Sequence, residues 1–157
     1  MINFSQRVAL VTGAGRGLGF AYAAGLAARG ATVIVQDTGA GPDGEGLDAV
    51  VAQAAAARII ASGGRAIADG RPIATREQCH AVVKDALEAH GRLDILIHNA
   101  GWVGYQPIEQ LTPDFLARMM TLGVETPLWL AQAAWPAMRA TGFGRILLTT
   151  SDRAIYP

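Results

Sequence analysis

Residues 12–19, Thr-Gly-Ala-Gly-Arg-Gly-Leu-Gly, follow directly on the apolar run at 8–11, and their types suit the binding of a phosphate. A buried strand that turns sharply into a helix needs a sterically free residue at the turn. It also needs bare backbone where a pyrophosphate approaches and a small residue where helix meets sheet. Gly13, Gly17 and Gly19 supply these. The helix then aims unpaired N–H groups and the positive end of its dipole at the anion, so no cationic side chain is essential, although Arg16 adds charge. Asp37 stands 18 residues beyond Gly19, after the next apolar run. A carboxylate there accepts hydrogen bonds from the adenosine ribose hydroxyls and repels a 2′-phosphate, which favours NAD over NADP. Arg16 is the counterweight, because a basic residue in the glycine loop can neutralise that phosphate. A ligand-free glycine turn is the plain alternative; the strand before it and the helix after it weigh against that reading.

These groups need a frame. Runs at 7–11, 32–36, 65–68, 93–97 and 145–149 are apolar and β-rich, as strands covered on both faces are. Helical patterns separate them. Leu18, Ala21, Tyr22, Gly25 and Leu26 repeat at helical spacing, and a second helix over 47–61 turns Val50, Val51 and Ala54 inward before Gly63 and Gly64. A third carries Cys79, Val82, Val83, Ala86 and Leu87 on one face and stops near Gly91. The fourth opens with Thr112 as N-cap, Pro113 and Asp114, and extends to about residue 141. Pro127 and Pro136 should bend or interrupt it. Its apolar residues, Phe115, Met119, Leu122, Trp129 and Trp135, exceed what one sheet face needs, so part of it is expected to form an interface. Residues 38–46, with Pro42 and four glycines, read as the one long loop.

With right-handed crossovers these elements predict an α/β, Rossmann-like doubly wound parallel sheet of order 3-2-1-4-5, a single domain over 1–157. Ligands bind at the carboxyl ends of the strands where the order reverses, and both the glycine loop and the HNAG segment at 98–101 map to that edge. Thirteen basic residues balance thirteen acidic ones, so no net field favours nucleic acid or an anionic membrane. No apolar run reaches ~18 residues, the length of a membrane span. Cys79 is the single cysteine, which excludes an internal disulfide framework and a cysteine-rich metal site, and with no leader pattern at the N-terminus the expected compartment is the cytoplasm.

The spacing TGxxxGxG resembles the short-chain dehydrogenase/reductase family, and HNAG is similar to that family's NNAG signature. The GRI…TS pattern at 144–151 resembles its segment bearing the catalytic serine. The resemblance implies cofactor binding by Gly13, Arg16, Gly17, Leu18, Gly19, Asp37, Asp69, Gly70, Asn99, Ala100 and Gly101. In it, Asp69 lies over the adenine, Asn99 holds the central sheet and lines the ribose, and Gly101 lets the cofactor pass closely. Ser151 matches the catalytic serine, whose hydroxyl donates to a substrate carbonyl. No metal is implied. Together with VIVQDTGAG, residues 133–157 look most like the (R)-3-hydroxyacyl-CoA dehydrogenase modules of multifunctional β-oxidation enzymes.

Two departures bear on activity. His98 stands where the family usually has asparagine and has no evident partner, and Gly123 falls near the family's catalytic asparagine. The family's YxxxK acid/base would lie about thirteen residues after Ser151, past Pro157, and Tyr156 matches a packing position instead. The resemblance therefore predicts an NAD(P)-dependent oxidoreductase acting on a small alcohol or ketone, with a hydroxyacyl thioester as one such substrate. The 157-residue chain alone should turn over little and should self-associate through the helix at 113–141. A non-catalytic NAD-binding or interaction module is the rival reading. A nucleotide-dependent methyltransferase is disfavoured by TGxxxGxG with HNAG.

Overall fold

In the computed structural model, which describes residues 2–41 and 43–151, five parallel strands form one sheet. They are β1 (Val8–Thr12), β2 (Thr32–Gln36), β3 (Arg65–Asp69), β4 (Ile95–His98) and β5 (Arg145–Leu148), in the order β3-β2-β1-β4-β5. The doubly wound fold expected from the alternation of patterns is the fold observed. Alternation along β1 divides the core: Val8 and Leu10 face one way, Ala9 and Val11 the other. The first face packs on α3 (Arg76–His90) and α5 (Thr126–Ala140) through Cys79, Val82, Leu130 and Ala134. The second packs on α1 (Gly17–Ala27) and α2 (Val50–Ala61) through Ala23, Ala27, Ala55 and Ile59.

Two helix faces differ from expectation. In α1 the buried residues are Gly19, Ala23 and Ala27, while Leu18 is exposed. In α2 they are Ala52, Ala55, Ala56 and Ile59, while Val50 is exposed and Ala54 lies outward. The contact on this side of the sheet selects for small side chains, because the helices lie close to the strands. A face chosen by hydrophobicity alone is rotated away from the true one.

α3 forms as expected, with a reciprocal capping box between Thr75 and Gln78 and a left-handed Gly91 at its end. Burial pushes the Cys79 thiol up to about 11. The long fourth helix divides into α4 (Pro113–Met120), a wide π-type turn at Thr121–Glu125, and α5. Thr112 caps α4 by accepting from the Phe115 amide. The interruption falls just before Pro127, whereas Pro136 is accommodated inside α5.

At the amino-terminal edge of the sheet, Asp94 clamps three segments. Its carboxylate accepts from the Val8 amide, from Arg7 at 2.8 Å and from Arg92 at 2.6 and 2.7 Å. The residue is fully buried. Burial would raise its pKa, but Arg92, the Val8 amide and Arg7 outweigh that and hold the carboxyl below its usual value.

Candidate cofactor site

The opposite, carboxyl edge carries a cavity of about 630 Å³. Its lining comes from Gly13, from Gln36 and Asp37 at the end of β2, from the 38–47 loop, from residues 72–74 after β3, from 99–103 after β4, and from α4 with the wide turn. Gly13 and Gly17 adopt positive φ (61° and 52°), the conformation only glycine takes freely. A Cβ on Gly19 would overlap the Gly13 carbonyl oxygen, so the helix can begin this close to the strand end only with glycine there. α1 follows, its N-cap at Arg16 lacking a side-chain acceptor, and the amides of its first turn are free of side-chain caps.

Asp37 directly follows β2 with its carboxylate on the glycine loop: Oδ2 accepts from the Gly15 amide and Oδ1 from the Gly39 amide, each at 2.7 Å. Two amides leave part of the carboxylate's acceptor capacity unused, and among the described residues no cationic side chain pairs with it. Its neighbour Gln36 is buried, donates from Nε2 to the Arg71 carbonyl, and keeps an unpartnered Oε1.

Asn99 ties the floor together. Its Nδ2 donates to the Gly13 carbonyl at 3.2 Å, and its Oδ1 accepts from the Thr149 hydroxyl at 3.3 Å. Beneath it the Thr12 hydroxyl accepts from the amides of Asn99 and Ala100 and pairs with His98 Nδ1 at 3.0 Å. His98 Nε2 lies 3.0 Å from the Leu122 carbonyl. The histidine that lacked an evident partner in the sequence therefore has two, both uncharged. Burial pushes its pKa below the ordinary imidazole value, with the Leu122 carbonyl opposing.

Of the residues named from sequence, Gly13, Asp37, Asn99, Ala100 and Gly101 line the cavity together. Arg16, Gly17, Leu18 and Gly19 sit beside it, at the start of α1. Asp69 does not reach the lining; its carboxylate is held by Arg71, which also pairs with Asp85. Gly70 packs against Ala49, where a Cβ would come within 2.8 Å of the alanine methyl. Ser151 is exposed just beyond β5, and Tyr156 lies outside the described residues. Sequence reasoning passed over Gln36, Trp102, Arg118, Thr121 and Leu122, all of which line the cavity. Only Trp102, directly after HNAG, carried a positional signal. Arg118 stacks over Trp102 at 4.2 Å and reaches Glu45 and the Asp43 carbonyl, fastening the 38–47 loop across the cavity to α4. Among the described residues no cluster of metal-ligating side chains forms.

A family model described as short chain dehydrogenase matches residues 7–157. The chain belongs to that family. It is similar to the peroxisomal multifunctional enzyme type 2 of Mus musculus, with 36% identity over 99% of this chain and 21% of the relative. Among solved structures it is similar to a 7α-hydroxysteroid dehydrogenase complexed with NADH and 7-oxo glycochenodeoxycholic acid (TM-score 0.88, 30% identity, 99% of this chain and 57% of that one). A metagenomic short-chain oxidoreductase in complex with NADP gives a TM-score of 0.85 at 32% identity, over 94% of this chain and 63% of that one. The chain thus spans about a fifth of the mouse enzyme and rather more than half of each solved structure.

Proposed function

We propose that this chain is the cofactor-binding part of an NAD-dependent oxidoreductase that moves hydride between a nicotinamide and a hydroxyl or carbonyl carbon. The observation that carries the reading is the Asp37 carboxylate, fixed by the Gly15 and Gly39 amides at the cavity wall with no cationic partner among the described residues. The surrounding residues fit a dinucleotide. Gly13 and Gly19 make the close backbone cradle, the first turn of α1 offers amides to a pyrophosphate, and the buried Gln36 Oε1 is an orphaned acceptor at the cavity. A bound nicotinamide would supply the hydride acceptor. Asp37 would accept from the adenosine ribose and repel a 2′-phosphate, and Asn99 and Ala100 would form the floor below the second ribose.

The Asp37 carboxylate favours NAD; the glycine-loop Arg16 is what an NADP preference would draw on. Similarity to peroxisomal multifunctional enzymes supports a hydroxyacyl thioester as substrate, with Ser151 donating to its carbonyl. The exposed Leu128 and Trp135 on α5, beside half-buried Trp129, support self-association through the helix pair at 113–140. The family's catalytic asparagine falls near Gly123, and that departure favours a second reading as a non-catalytic NAD-binding module.

Trp102 lines the cavity, so NAD binding should change tryptophan fluorescence. Asp37→Ala should weaken NAD about tenfold, the loss of one or two charge-assisted hydrogen bonds, and narrow the gap between NAD and NADP. Unchanged affinity for both cofactors would remove the basis of the reading. Reduction of bound NAD by a 3-hydroxyacyl thioester in the intact polypeptide separates the enzyme from the binding module.

A further inference from the structure

The wide turn at Thr121–Glu125 leaves one backbone carbonyl without a helical donor, and a strand residue takes it. The Thr126 amide donates to the Thr121 carbonyl, five residues back. Continuing that spacing, the next donor would be residue 127 and its acceptor Leu122, but Pro127 has no N–H. The Leu122 carbonyl instead faces His98 Nε2 at 3.0 Å. A carbonyl only accepts, so Nε2 carries the proton. On the other side of the ring, both acceptor sites of the Thr12 hydroxyl are taken by the Asn99 and Ala100 amides, so its one proton goes to Nδ1. The neutral ring with hydrogen on Nε2 satisfies every group in this chain of contacts. His98 and Thr12 are buried, so each of these groups would be costly to leave unpaired.

We infer that His98 is a positioning residue for the cofactor cavity, replacing the helix donor that Pro127 removes and fastening the wide turn to the glycine-loop end of β1. Thr121 and Leu122 of that turn form one wall of the cavity; Asn99 and Ala100, held by the same Thr12 hydroxyl, form the floor. One imidazole thus fixes the wall relative to the floor. A Cβ at Gly123 would meet nothing within 4 Å, so the turn does not draw its shape from packing at that residue. Asparagine at 98, with a shorter reach, would not span from Thr12 to Leu122 in the same way, whereas glutamine can donate from a similar position. For its effect on cofactor the inference rests on the reading above; for the turn itself it does not.

The test uses the intact polypeptide, with His98→Phe, which keeps bulk and loses the donor, and His98→Gln, which keeps a donor. Hydrogen exchange at amides 121–126 should quicken about tenfold in the Phe variant, as for one lost hydrogen bond, with exchange in β1 unchanged. Its KM for NAD should rise about fivefold with kcat less affected, and the Gln variant should return both to within about twofold of wild type. In wild type, the imidazole nitrogen spectrum at about pH 7 should show hydrogen on Nε2. A ring carrying hydrogen on Nδ1, wild-type exchange in the Phe variant, or a Gln variant as impaired as Phe would overturn the inference. The spectrum decides the matter even where the Phe variant fails to fold. If wild type itself does not bind NAD, the proposed function fails, while the exchange and tautomer results still judge His98.

Discussion

Asp94 and Asp37 sit at opposite edges of one sheet and show how a carboxylate becomes structural or available. Asp94, at the amino-terminal edge, is fully buried and met by two guanidinium groups and an amide, so its charge is spent inside the fold. Asp37, at the carboxyl edge, is half-buried and held by two amides. Amides orient a carboxylate without cancelling its charge. The difference follows from the direction of a parallel sheet: loops at the carboxyl edge open around the point where strand order reverses, while at the other edge strand starts and their flanking arginines close over one another.

The comparison can be broken most directly at Asp94. Asp94→Ala should cost about 3 kcal/mol in urea unfolding, because the Val8 amide and two arginines lose their common partner, and any folded protein should bind NAD as wild type does. A loss of NAD affinity without a loss of stability would erase the distinction between the edges. Acid is the next lever. The folded Asp94 carboxyl titrates below its unfolded value, so the unfolded chain binds the extra proton as pH falls. Stability from this clamp is therefore complete above about pH 5 and is lost as pH falls through the folded pKa. Melting temperature followed from about pH 6 to 3 should fall in wild type and fall less in Asp94→Ala. Arg118→Ala should have the smallest effect on stability, under about 1 kcal/mol, because its pairing with Glu45 is exposed. Its readout is faster proteolysis within the 38–47 loop, and an unchanged rate would mean that the Arg118 contacts do not hold that wall.

Several features were legible in the residues alone because their causes are local. Thr112 and Pro113 start a helix and Gly91 ends one through chemistry contained within a single turn. The apolar runs of β1, β2 and β4 become strands covered on both faces, whereas β3 and β5, at the sheet edges, stay partly exposed. The cradle of Gly13 and Gly19 and the place of Asp37 and Asn99 beside it were likewise readable, since a strand–glycine–helix junction fixes where a strand end lies. The inward faces of α1 and α2 were not, because small residues there answer to the sheet's proximity rather than to hydrophobicity. Pro127 and Pro136 look alike in sequence, yet one follows a wide turn and the other lies inside a helix.

The order of the amino acids was sufficient for the parallel sheet, its glycine loop and the family, since these depend on periodicity and turn chemistry within short stretches. Partners came only with tertiary packing. Asp69 holds Arg71; Asp94, within an apolar run, is buried against two arginines; His98 lacked an evident partner and joins Thr12 to Leu122. Each of these outcomes turns on the position of a side chain relative to neighbours brought together by the sheet, the Thr12 and His98 pair being 86 residues apart. A polar side chain's role depends on which donors and acceptors surround it and how far water is excluded, and only the folded chain sets both.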